Sequence, residues 1–136
     1  MGSAYAQGMT MTDELHDDGM RVRREVLGDA HVDRALAATT AFTAPFQDFI
    51  TDFAWGSVWA RDGLDRRTRS AVTLALLTAL HCHDELAMHV HAARRNGLTE
   101  AEIAEVLLHT AVYAGVPATN AALKIAERAL EQDPGQ

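Results

Sequence analysis

The chain holds a single cysteine, Cys82. It therefore makes no intrachain disulfide and carries no CxxC redox pair. Aromatic residues are only 6% of the sequence, and Ala and Leu outnumber Val and Ile. That balance favours helices over sheets. No apolar run approaches the length that spans a bilayer, so no membrane partner is expected. No secretory signal peptide is present either, and a reduced, cytoplasmic setting is expected. Positive charge is scarce. Twelve Lys and Arg against 19 Asp and Glu leave a formal charge of −7, which argues against nucleic acid as a partner. There is no GxSxG, hence no nucleophile elbow. There is no glycine-rich phosphate loop.

What remains is a helical chain organised around Trp59 to Gly97. Four arginines fall within nine residues: Arg61, Arg66, Arg67 and Arg69. An acidic protein that binds an anion must gather positive charge locally. This cluster is the place dense enough to do so. A strongly apolar helix follows, then a segment rich in ionisable side chains: His81, Cys82, His83, Asp84, Glu85, His89 and His91.

At 136 residues the length prior gives one domain, large enough for a core without disulfides. Residues 1–12 read as a disordered cloning leader ahead of a native start at Met9 or Met11. A single helical domain is expected over 13–132, and a frayed tail over 133–136. Asp13 to Leu27 is the first helix, stopped by Gly28. Ala30 to Thr40 is the second. Thr43-Ala-Pro45 starts a third. It carries Phe46, Phe49, Ile50, Phe53 and Trp55 at a 3–4 spacing, expected to pack in the core. Trp59, close to the arginines, is the better candidate for a pocket wall.

Arg61 to Leu64 is a loop. Asp65 caps the next helix, which runs to about Leu80. From Ala71 to Leu80 only Thr73 and Thr78 are polar. Such a helix is expected to be buried all round, as a central helix or at a subunit interface. After a break at His81 to His83, a helix runs from about Asp84 to Asn96, ended by Gly97. Thr99 and Glu102 form a capping box. Ile103, Val106, Leu107, Thr110, Ala111 and Ala114 make the buried stripe of that helix. Gly115 ends it, Pro117 opens the last helix, and Leu123, Ala126 and Leu130 face the core. There is no strand pattern and no internal repeat.

Glu85 and His89 lie one turn apart, on a side shared with Leu86 and Ala93. A part-buried carboxylate beside an imidazole can be tuned into an acid and a base. The same pair can simply hold two helices in register, and both readings stand at this point. His91 and Arg95 are expected to point to solvent. His109 and Tyr113 form a second i, i+4 pair, at a pocket or at an interface. His81, His83, Glu85 and His89 also invite a metal reading. They lack the HExxH spacing, and His81 and His83 diverge at a helix start, so no metal is expected.

These motifs resemble a known family. R-x-G-L-D-x-R-x-R-S (Arg61 to Ser70), E-L-x-x-H (Glu85 to His89), N-G-L-T-x-x-E-I-x-E (Asn96 to Glu105) and H-x-x-x-Y-x-G-x-P (His109 to Pro117) are similar to the 4-carboxymuconolactone decarboxylases. The resemblance covers about Leu27 to Leu130. The wider superfamily is alkylhydroperoxidase D-like, where a CxxC precedes a His by four residues. Here Cys82 holds the first thiol position, Glu85 the second, and His89 keeps the His. Ser70 stands where the superfamily has a Glu. Without a second thiol, peroxide chemistry is not expected to carry over.

The resemblance implies an all-α bundle with a central helical hairpin and a ring-like homo-oligomer, a hexamer with a trimer as the alternative. It implies conversion of γ-carboxymuconolactone to β-ketoadipate enol-lactone and CO2 without a cofactor, in protocatechuate catabolism. The substrate would be a small lactone dicarboxylate. Arg61, Arg66 and Arg69 would hold its carboxylates. Trp59, His109 and Tyr113 would line the pocket. His89 would donate the proton, with Glu85 orienting it and His81 as a further acid/base candidate. Other substrates of this type, or a non-catalytic helical oligomer, are the alternatives.

Overall fold

A computed structural model describes residues 10–132. Residues 1–9 and 133–136, to which most of the expected leader and the tail belong, lie outside them. The described residues form seven α-helices and one π-helical segment, with no strand among them. The helices are α1 (Met11–Leu27), α2 (Asp29–Ala37), α3 (Ala44–Phe49), the π segment (Ile50–Trp59), α4 (Arg66–Ala79), α5 (His83–Arg95), α6 (Glu100–Ala114) and α7 (Val116–Glu131). They gather into two compact units, residues 1–63 and 64–136. No helix among the described residues is long and apolar enough to cross a membrane.

The first helix starts two residues earlier than its acids suggest. Thr10 accepts from the Asp13 N–H at 3.1 Å, and Asp13 returns a bond to the Thr10 N–H, closing a capping box. Residues 10–12 are thus cap and first turn. The first unit is built on the crossing of α1 with the π segment. Glycine allows the two backbones to touch. A Cβ at Gly19 would stand 1.9 Å from the Thr51 carbonyl oxygen, and one at Gly56 would stand 2.6 Å from that of Leu15. Val22, Val26, Val32 and Trp55 are buried in this unit.

The aromatic stripe does not pack as expected. Phe46, Phe49 and Phe53 are all half exposed or more, Ile50 is half-buried, and only Trp55 goes inside. Helix α3 itself buries no residue, and the helix type changes at Ile50. In a π-helix the hydrogen bonds reach five residues back, so a 3–4 spacing no longer stays on one face. Thr51 and Trp55 turn inward in its place.

The second unit packs α4 to α7 around Leu74, Leu86, Val90, Ala93, Leu98, Ile103, Leu107, Ala122, Ala126 and Ala129. Each fully buried Leu or Ile here contributes about 1.5–3 kcal/mol through removal from water. Helix α4 buries Ser70, Leu74 and Thr78, a row with four-residue spacing. The opposite row, Val72, Leu76 and Leu80, is 46%, 55% and 68% exposed. The helix expected to be buried all round is therefore covered on one side only within the chain. On α6, Ile103, Leu107 and Thr110 are buried, Val106 and Ala111 are half-buried, and Ala114 is exposed. On α7 the small residues Ala118, Ala122, Ala126 and Ala129 face inward and Leu123 does not. Alanines let α7 approach closely, and the Thr119 hydroxyl donates to the Leu107 carbonyl at 3.1 Å across that contact.

Two helix ends in this unit have the same hydrogen-bond pattern. At the end of α5, Gly97 N–H donates to Arg94 O and Leu98 N–H to Ala93 O. At the end of α4, His81 N–H donates to Thr78 O and Cys82 N–H to Leu77 O. Both are Schellman motifs, which need a left-handed residue. Gly97 meets that need at φ 99°, whereas the other motif places His81 there at φ 59°. His81 is the one non-glycine with positive φ among the described residues.

Candidate active site

The arginines sit at the start of α4. Asp65 caps this helix by accepting from the Thr68 N–H at 2.7 Å. That bond holds the Asp65 carboxyl below its usual range. Arg66 and Arg69 are half-buried on the first turn, while Arg67 is exposed and forms an ion pair with Glu102 of α6. Glu102 is itself held low, first by the Thr99 N–H and then by the Thr99 hydroxyl and Arg67. Arg67 therefore ties two helix starts together. Nearby, the Asn96 amide donates to the Ser70 hydroxyl at 2.9 Å. This fixes α5's end against α4 where the sequence offered no signal. Arg61 and Trp59 belong to the first unit. Arg61 is exposed, and Trp59 is half-buried with its ring 5.2 Å from that of Trp55.

The acid/base candidates lie at the start of α5. Cys82 precedes the helix as a free, half-buried thiol. His81 and His83 are exposed, with ring centroids 6.1 Å apart in an edge-on arrangement. Glu85 lies in the first turn, where the helix dipole favours a carboxylate. It is exposed, not part-buried as expected, and makes no hydrogen bond or ion pair among the described residues. His89, one turn on, is half-buried. The helix puts them on one side, but no hydrogen bond joins them. His91 was expected in solvent and is half-buried; Arg95 is exposed as expected. No group of three His, Cys, Asp or Glu side chains that could hold a metal ion occurs among the described residues.

On α6 the rings of His109 and Tyr113 are 5.3 Å apart, and both residues are exposed. His109 helps line a groove of about 430 Å³ between α4 and α6, with Ala71, Val72, Ala75, Glu105, Val106 and Thr110. A second groove of about 480 Å³, between α6 and α7, is apolar but rimmed by Glu100, Glu127 and Glu131. Three carboxylates repel a dianion, so the second groove is the wrong one for it. Neither groove is lined by Glu85 or His89. The structure thus brings together the rings of His81 and His83 and those of His109 and Tyr113, and sets Arg66 and Arg69 one turn apart on α4.

An all-α chain with a basic start to α4 and a Glu-x-x-x-His turn on the following α5 has the alkylhydroperoxidase D-like class of fold. Comparison with known proteins narrows the class. The model of the Carboxymuconolactone decarboxylase family matches residues 44–128, and the chain belongs to that family. It is 52% identical to the 4-carboxymuconolactone decarboxylase of Acinetobacter baylyi over 86% of this chain and 88% of the relative. It is 45% identical to a nitrosuccinic acid decarboxylase of Metarhizium robertsii over 87% of this chain and 85% of the relative. A 4-carboxymuconolactone decarboxylase of Pseudomonas putida is 56% identical, over 32% of this chain and 90% of that sequence.

Proposed function

We propose that the chain is a cofactor-independent carboxy-lyase that converts γ-carboxymuconolactone to β-ketoadipate enol-lactone and CO2 in aromatic catabolism. The observation that carries this is the 52% identity to a 4-carboxymuconolactone decarboxylase along nearly the whole chain. The chemistry suits the side chains. The bond to the departing carboxylate breaks, and its electron pair runs through the ring double bond to the lactone carbonyl. The resulting dienolate takes a proton at the carbon beside that carbonyl. The substrate is its own electron sink, so the protein's tasks are to hold charge, stabilise an oxyanion and deliver one proton. Arg66 and Arg69 are our candidates for holding carboxylates. His89 is our proton donor, Glu85 its partner, and His81 the next candidate. His109 and Tyr113 would bound the substrate.

A second reading has its own support. The relative named for nitrosuccinic acid acts on a dicarboxylate that bears a nitro group, another built-in electron sink. Freshly generated γ-carboxymuconolactone and nitrosuccinate should therefore be compared by kcat/KM, the first by its ultraviolet absorbance. Turnover of the lactone at the higher kcat/KM supports the first reading. Preference for nitrosuccinate replaces it with the second, and turnover of neither leaves a non-catalytic helical oligomer.

We further propose that the protein works as a homo-oligomer, a hexamer or a trimer, in the cytoplasm. Val72, Leu76 and Leu80 of α4, with Leu108, Val112 and Tyr113 of α6, leave a large apolar surface bare. Exposed apolar residues in such number are what a subunit interface would cover. Light scattering that finds a stable monomer at micromolar concentration would sink this part of the reading.

A further inference from the structure

Arg23, on α1 of the first unit, is 3% exposed. One Nη donates to the Thr51 hydroxyl at 3.1 Å and the other to the Gln47 amide oxygen at 3.0 Å. Its Nε is buried and has no hydrogen-bond partner among the described residues. Both acceptors are neutral, and Arg23 makes no ion pair among the described residues. A buried guanidinium keeps its charge, and a buried charge without a counter-charge is strongly disfavoured. Burial and the neighbouring Arg24 already lower its hold on the proton. The acids nearby in sequence are engaged or turned away. Asp52 is bonded to His16 at 2.7 Å, Asp29 and Asp33 pair with Arg24, and Asp48 is exposed.

A purely structural strut does not need this charge. A Met or Leu of similar length would fill the space without desolvating a cation. The two acceptors also differ in depth. Thr51 is 1% exposed and lies at the inner end, whereas Gln47 is half-buried and lies at the outer end. The Gln47 oxygen sits where one oxygen of a bidentate carboxylate would sit. Gln47 is the more exposed of the two acceptors and so the one a carboxylate would replace. The Gly19–Thr51 contact four residues earlier on α1 holds the inner end rigid.

We infer that the Arg23 guanidinium, backed by Thr51 and covered by a displaceable Gln47, is a seat for one carboxylate of a small dicarboxylate ligand. This rests on the dicarboxylate reading above, but it is measured through binding and not only through turnover. Succinate is the probe, with neutral succinamide as control, in titration calorimetry on the full chain. Wild type is expected to bind succinate and not succinamide. Arg23→Met is expected to weaken succinate binding at least tenfold while keeping its helical circular dichroism and melting temperature. Gln47→Glu supplies an internal carboxylate to the same fork. It is expected to weaken succinate binding at least tenfold and to raise the melting temperature.

No succinate binding by wild type at millimolar concentration overturns the inference. So does Arg23→Met binding succinate as wild type does. If Arg23→Met does not fold, Gln47→Glu decides, and unchanged succinate affinity in that variant also overturns it. The two claims separate cleanly. Lactone turnover with KM unchanged in Arg23→Met leaves the proposed function standing and removes the seat. Arg23-dependent succinate binding without turnover of the lactone or of nitrosuccinate leaves the seat standing and removes the function.

Discussion

Replacing His81 by Gly should make the protein more stable. His81 closes α4 in the left-handed region, at φ 59°, in the same hydrogen-bond pattern that Gly97 completes at the end of α5. A residue with a Cβ pays about 1–2 kcal/mol in that region, and His, which tolerates it better than most, sits at the lower end. Glycine relieves this but gains freedom in the unfolded chain, which costs about 0.5–1 kcal/mol in return. The net expected gain is at most about 0.5 kcal/mol. The mirror experiment, Gly97→Ala, should lose about 1 kcal/mol by introducing the same strain. Its Cβ would meet the Arg67 side chain only at 3.6 Å, so crowding adds little to that loss. Urea denaturation at one fixed protein concentration reads both. With a slope of about 1–3 kcal/mol/M, the midpoints should move in opposite directions by a few tenths molar, with the slope unchanged. A His81→Gly protein that is less stable than wild type would refute the strain argument. If His81 takes part in acid/base chemistry, the stabilised variant should also turn over more slowly, the usual trade between stability and activity.

Other expectations follow from the same structure. Arg66→Ala and Arg69→Ala should chiefly raise KM, while His89→Ala and Glu85→Gln should lower kcat, by roughly 10² for the proton donor. Arg95→Ala, exposed on the same helix, should change neither; near-normal kcat in folded His89→Ala and Glu85→Gln would make that pair structural. Asp13, Asp65 and Glu102 are all held below their usual carboxyl range by cap N–H groups. Their contribution is present above the unfolded carboxyl pKa of about 4 and is lost as pH falls through the lower folded values. Asp65→Asn keeps the cap without the charge and should flatten the acid limb of a stability–pH curve. Gly19→Ala drives a methyl into the Thr51 carbonyl and should cost about 3 kcal/mol or more, seen as early loss of helicity on heating.

Helix number and boundaries were legible because the punctuation is local. Asp65, Thr99, Gly97 and Gly115 act within a few residues, and each does in the structure what its type suggests. The face each helix turns inward was less legible. The apolar content of α4 said "bury", but it could not say that Ser70 and Thr78 go inside while Leu76 and Leu80 stay out. That choice belongs to packing partners. The aromatic stripe failed for a different reason. Sequence periodicity assumes α geometry, and nothing in Ile50 to Trp59 announces a π-helix. At the candidate site, spacing put Glu85 and His89 on one side of α5, but exposure is not a property of spacing. Nothing in the sequence marks Arg23 for burial. Its burial comes from Gly19, a close-approach residue whose meaning shows only once Thr51 is beside it.

Two joints in the chain are made from a single residue each. Gly28 ends α1 and begins α2, and Gly115 ends α6 and begins α7, at φ 89° and 103° with ψ near 150°. That combination is open to glycine almost alone. The angle at each corner is therefore written into one peptide unit, with no slack on either side. Inserted sequence has nowhere to go there, because an added residue would have to become helix or break a cap. The stretch from Arg61 to Leu64 is the opposite case, exposed throughout, with open space around Gly63. An affinity tag, a fluorophore-bearing loop or new chain ends should be tolerated between Asp62 and Gly63, whereas a one-residue insertion after Gly28 or Gly115 should not.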